Sequence, residues 1–170
     1  KAAEMMRCSI RTLPCLITFT LLVSLLGGCQ PAPAHSPELE QATAALQSYF
    51  QSLSEGRYAD AVDLYGGTYE PLTGYNPDIN PQAYARLFEL GCAANGLQCL
   101  QVNEILQSER LDDDTYQFLV TFTGRDGQVF VLGPCCGADE TQMPPVSQFT
   151  FTVKRVDGRF KVMDLPVYVP

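Results

Sequence analysis

The chain has 170 residues, 46% of them hydrophobic and 18% charged, which is enough for one ordinary domain with a real core once an N-terminal segment is set aside. Nineteen acids against eleven bases give a net charge of -8, a balance that repels phosphate backbones and excludes nucleic acid as a partner. The acidity suits solubility first, and a cationic ligand or a basic partner surface only after it, and names no function.

The first predicted element is a targeting segment. Residues 1–12 carry Lys1, Arg7 and Arg11, and residues 13–26, LPCLITFTLLVSLL, then run apolar and uncharged for about fourteen residues. That is the length of a signal-peptide core and too short for a comfortable membrane span. The sequence opens on Lys1, and Met5 or Met6 is read as the start, leaving MRCSIR as a short cationic region. Immediately after the apolar run, Leu26-Gly27-Gly28-Cys29 resembles the lipobox of bacterial lipoproteins. The resemblance implies cleavage between Gly28 and Cys29, diacylglycerol on the Cys29 thiol and acylation of the new amino group. Two or three chains at about 0.8 kcal/mol per buried CH₂ anchor stably, where one alone binds marginally. The expected partner is therefore a membrane, reached through lipid on Cys29, and the expected location is extracytoplasmic, on the cell membrane or the outer membrane. Gln30 at the following position, in place of Asp, resembles substrates sorted onward to an outer membrane. Removing residues 1–28 takes away Lys1, Arg7, Arg11 and Glu4, so the mature chain keeps 18 acids and 8 bases, a net charge of -10.

Residues 29–36 hold the lipidated cysteine and QPAPAHS, a short extended Pro/Ala tether. His35, the single histidine, sits in this tether, which excludes a histidine-based triad in the domain. A single domain spans residues 37–170. Ser36-Pro37-Glu38 predicts a helix start with a capping hydroxyl, proline in the first turn and an acid beside it. Leu39, Ala42, Leu46, Tyr49, Phe50 and Leu53 recur at steps of three and four and carry that helix to Gly56. A shorter helix with Tyr58, Ala61, Val62 and Tyr65 on its apolar side ends at Gly66-Gly67. The stretch EPLTGYNPDIN reads as turns. A third helix is expected to begin at Asn80-Pro81, to place Tyr84, Leu87 and Phe88 on one side, and to close at Gly91.

From Gln98 the period becomes two. Residues 98–110 and 115–123 read as strands joined at Asp112-Asp113-Asp114, with Tyr116, Phe118, Val120 and Phe122 on the buried face. Phe149, Phe151 and Val153 line another strand, and Asp157-Gly158 suits a two-residue hairpin turn into the last one. Helices first and an antiparallel meander after them give an α+β fold, with the helices on one face of the sheet.

The run EGRYADAVDLY and the ending DGRFKVMDLPVYV resemble the start of the second helix and the closing strand of the nuclear transport factor 2-like (cystatin-like α+β) superfamily. That resemblance implies a curved antiparallel sheet wrapping a helix into a cone, whose interior is a ligand pocket, an active site or packed core.

Four residues of the domain invite disulfide chemistry: Cys92, Cys99, Cys135 and Cys136. Export to an oxidising compartment favours disulfides. If residues 115–123 return beside Cys99, the insertion 124–146 begins near Cys92 and Cys99, so cross-pairing of that pair with Cys135 and Cys136 is expected. Either of its two connectivities is open, and a bridge between the adjacent cysteines is the least comfortable. A four-cysteine zinc site lacks ligand spacing, and the sequence calls for no metal and no cofactor. In the last hairpin Val156 faces Arg159 and Val153 faces Val162, so Asp164 falls opposite Phe151 on the apolar face. A carboxyl in an apolar cone could serve as general base or ligand anchor, with Tyr49 or Tyr65 as donor; a bulge, the strand's end or a cap on a backbone amide would instead make it structural. Asp60 and Asp63 share a hydrated helix side with Arg57. Two functions follow. One is a membrane-anchored extracytoplasmic binding or accessory module without catalysis, holding a small ligand in the cone or pairing as a homodimer through the sheet. The alternative is a small cone-pocket enzyme, isomerase- or hydrolase-like, using Asp164 and a tyrosine.

Overall fold

A computed structural model describes residues 36–170. The targeting segment, Cys29, most of the tether and His35 lie outside the described residues. The first helix, α1 (Pro37–Ser54), starts as its sequence dictates: Ser36 adopts an extended backbone and its hydroxyl accepts the Leu39 amide at 3.1 Å. Its apolar stripe sinks Ala42, Leu46, Tyr49, Phe50 and Leu53 almost completely. A tight reversal at Gly56, with φ of 73°, leads into α2 (Tyr58–Leu64).

Two differences from expectation follow in the helical half. Residues expected to be turns form a short helix, α3 (Glu70–Tyr75), because Pro71 fits a first turn and Leu72 has a core to reach, being 1% exposed. The next helix, α4 (Tyr84–Ala93), begins after the Asn80-Pro81 turn and runs through Gly91 rather than closing there. Gly91 is a packing residue: a Cβ there would lie 2.8 Å from Leu97 Cδ1 and 3.1 Å from Leu72 Cδ2.

The second half is one antiparallel sheet in sequential order, β1 (Gln101–Arg110), β2 (Thr115–Thr123), β3 (Phe149–Val156) and β4 (Arg159–Val162). β1 is an edge strand whose pairing shifts register twice, between Val102 and Glu104 and between Ile105 and Gln107, so its buried face does not keep a strict period of two. Asp157 and Gly158 both take positive φ, 51° and 78°, as a type I′ turn requires, and set Val156 opposite Arg159 and Val153 opposite Val162. The expected α+β fold is thus the observed one: α1 lies across β1, β3 and β4, with α2 and then α4 packed outside it. Phe50 binds the two layers, its ring 4.8 Å from Phe122 and 4.8 Å from Phe151, both edge-on.

Candidate functional site

Asp164 is the leading chemical candidate of the sequence, and its setting follows from where β4 ends. Pairing with β3 stops at Val162, and Met163 still donates its amide to the Thr152 carbonyl at 2.9 Å. At the next position the side chain replaces the main chain: the Asp164 carboxylate accepts the Thr152 amide at 2.6 Å in a partly buried setting. The register that would hold Asp164 opposite Phe151 is not continued, and the carboxylate caps the open end of the hairpin.

Its two expected donors are nearby. Burial first, and then the Asp164 charge, push the Tyr65 phenol well above its ordinary value. Tyr49 is raised too, by complete burial, then by Tyr65, Tyr69 and Asp164. Both are therefore neutral phenols in any physiological medium. Tyr65 donates its hydroxyl to the Thr68 carbonyl at 2.9 Å. The Tyr49 hydroxyl is buried without a hydrogen-bonding partner, as are those of Tyr69 and Tyr116. The two phenols lie among packed rings: Tyr49 stacks on Tyr65 at 5.9 Å and Phe88 closes on both, at 6.0 and 5.4 Å. Asp60 binds Arg57 at the surface, 2.6 Å from Nη1, as a hydrated pair should.

The cysteines pair otherwise than expected. Cys92 is bonded to Cys99, with Cα atoms 5.6 Å apart, and Cys135 and Cys136 are free thiols. Cross-pairing between the two sets is corrected by chain reversal at the end of α4. Gly96 turns with φ of 80°, and the Leu97 amide reaches back to the Gly91 carbonyl at 3.0 Å, which returns Cys99 to Cys92 across a separation of 7 residues. The insertion does begin beside that pair, since Gly124 and Arg125 share a cleft with it, but it then closes on itself through the Leu132–Val146 bridge.

That cleft is a feature the sequence did not announce. It holds about 400 Å³ and is walled by Leu53 and Tyr58 from the helices, the Cys92–Cys99 bond, and Arg125. A second cleft of about 480 Å³ continues it along the insertion, sharing Leu100, Gly124 and Arg125 and adding Val129, Phe130 and Val131. Val129 and Val131 are half-exposed, at 46% and 52%. Arg125 is exposed and forms no ion pair among the described residues, in a chain that is otherwise strongly acidic. The trough thus offers a cation at its middle, an apolar wall of Val129, Phe130 and Val131 along the insertion, and a more polar wall with Ser54, Gln101 and Thr123 beside the disulfide; Asp126 also lines the insertion side. Neither cleft is lined by Asp164, Tyr49 or Tyr65. The only sequence signal for it was an apolar run, Val129-Phe130-Val131, on a loop with no strand alternation to explain it.

No family model matches the chain, and no curated protein matches it. Among solved structures, the chain is similar to a "putative dehydratase from the NTF2-like family" of Streptomyces avermitilis, at 15% identity and a TM-score of 0.42 over 78% of this chain and 97% of that one.

Proposed function

We propose that the chain is a lipid-anchored extracytoplasmic binding module of the nuclear transport factor 2-like kind, which takes its ligand in the trough centred on Arg125 rather than inside the cone. The observation that carries this reading is the placement of open volume: the trough is open and holds Arg125, which forms no ion pair among the described residues, whereas Asp164, Tyr49 and Tyr65 line neither cleft and the two phenols pack ring against ring. The ligand chemistry that fits is an anionic group against Arg125 with an apolar body against Val129, Phe130 and Val131. The Cys92–Cys99 bond is in keeping with an oxidising compartment, and Leu26-Gly27-Gly28-Cys29 supports the anchor.

Anilinonaphthalene sulfonate, an anion on an apolar ring system, tests the trough. Saturable fluorescence enhancement by the folded domain should weaken severalfold in Arg125→Ala and in Val131→Asp, with circular dichroism unchanged. Equal affinity in all three proteins, or no enhancement by the wild type, overturns the assignment. The anchor is tested separately by mass spectrometry of the membrane fraction, where the N-terminal peptide should begin at Cys29 with acyl mass and Cys29→Ser should turn soluble. A bare thiol there, or retention of residues 1–28, overturns it.

A cone-pocket enzyme using Asp164 with Tyr49 or Tyr65 is favoured by one observation. The carboxylate does sit close enough to both phenols to perturb them, and the Tyr49 hydroxyl is buried with no partner.

A further inference from the structure

With Cys92 and Cys99 joined to each other, the two remaining cysteines of the domain have only one another within the described residues. Their sulfur atoms lie 2.8 Å apart. That is well inside the separation of unbonded sulfurs, though outside the ~2.05 Å of a covalent bond. The backbone beneath them is a closed turn: the Ala138 amide donates to the Cys135 carbonyl at 3.0 Å, with Cys136 at φ 60° and Gly137 at φ 89° as the two central residues. Positive φ at both central positions is the type I′ geometry. Gly137 adopts it freely, but Cys136 carries a Cβ into a region that side chains disfavour, and non-glycine residues held there concentrate at functional positions. Cys136 is exposed and Cys135 is the less exposed of the two, so the Cys136 sulfur is the more open to attack from solvent.

We propose that Cys135 and Cys136 form a thiol–disulfide exchange site, a vicinal dithiol that closes into a ring by reaction with a small disulfide oxidant of the glutathione class. The exposed Cys136 attacks as thiolate on one sulfur of the oxidant, making a mixed disulfide and expelling the first oxidant thiolate. Cys135, having given its proton to solvent, then attacks the Cys136 sulfur. The Cys135–Cys136 bond forms, the mixed disulfide breaks, and the second oxidant thiolate leaves. The pair has lost two electrons and two protons, and the oxidant has gained them as two thiols. The hydrogen bond between the thiols raises the Cys135 pKa above the ordinary thiol value, so ring closure waits on loss of that proton to solvent. Tyr168, stacked on Tyr75 at 5.7 Å, lies close enough to both sulfurs to feel their charge, so ring closure alters the electrostatics of an exposed aromatic pair.

The full-length protein, folded and equilibrated across ratios of reduced to oxidised glutathione, is quenched in acid, alkylated and digested with trypsin. Residues 126–154 form one tryptic peptide containing Cys135 and Cys136 and no other cysteine. Under oxidising ratios that peptide should lose two hydrogen masses and take no alkyl group, and under reducing ratios it should take two. Cys135→Ser and Cys136→Ser should each hold the remaining thiol as a stable glutathione adduct, since the resolving sulfur is gone. Two alkyl groups at every ratio, a stable glutathione adduct on the wild type, single-cysteine variants that take up no glutathione, or a cross-link from this peptide to Cys92 or Cys99 would each overturn the proposal.

Discussion

The bond from Thr152 to Asp164 decides between a structural and a chemical carboxylate, and its removal has a calculable cost. In Asp164→Ala the Thr152 amide loses its 2.6 Å acceptor at a partly buried sheet end. A hydrogen bond to a charged acceptor contributes about 1.5–3 kcal/mol, and the partial exposure of this one places it in the lower half, about 1.5–2 kcal/mol. For a domain of this size each kcal/mol moves the midpoint by about 3–5 °C, so thermal unfolding followed by circular dichroism should show a loss of roughly 5–10 °C. Asp164→Asn keeps an oxygen acceptor without the charge and should lose about half as much. The same removal of charge lowers the Tyr65 phenol toward its ordinary value, because Asp164 is one of the two causes that raise it. A variant as stable as the wild type, or more stable, refutes the capping role: it would mean the carboxylate is held at a cost for chemistry, the pattern of sites that trade stability for activity, and would put the enzyme reading ahead of the binding one.

Opening the Cys92–Cys99 bond by paired substitution with serine should cost about 2.5 kcal/mol on the chain-entropy argument for so short a loop, measured as a shift in urea midpoint; an unchanged midpoint would show that the reversal at Gly96 holds the segment without it. Ser36→Ala removes the cap of α1 and should cost about 1 kcal/mol by the same measure, while Ser36→Asp should restore it. Three phenols, Tyr49, Tyr65 and Tyr69, are raised chiefly by burial, so the folded state keeps their protons where the unfolded chain releases them. Their contribution to stability is whole below the ordinary phenol value of 10.0 and is lost as pH climbs above it, and phenolate absorbance should show these tyrosines ionising together with alkaline unfolding rather than before it.

What the sequence could and could not disclose divides by the range of the forces involved. The cap at Ser36 and the Asp157-Gly158 turn are decided by neighbours a few residues away, and both form as their residues require. The register of the last hairpin is equally local, and Val153 does meet Val162. Extending that register to Asp164 failed because a short acidic side chain can outbid the backbone for an amide at a strand's end, where no following ladder bond holds the chain in line. Proline and glycine in residues 70–76 fit a turn and a single-turn helix alike, and only the burial of Leu72, a tertiary fact, selects the helix. Cysteine pairing failed for a similar reason. Adjacency of the insertion to Cys92 and Cys99 was legible from strand pairing, yet connectivity turned on Gly96, whose left-handed backbone brings seven residues back on themselves at small entropic cost before any longer loop can compete. The trough was the least legible of all, because Tyr58, Cys92 and Arg125 come from three elements that no local pattern relates. Sites assembled in this way announce themselves in sequence only by what they leave unexplained, here an apolar run on a loop.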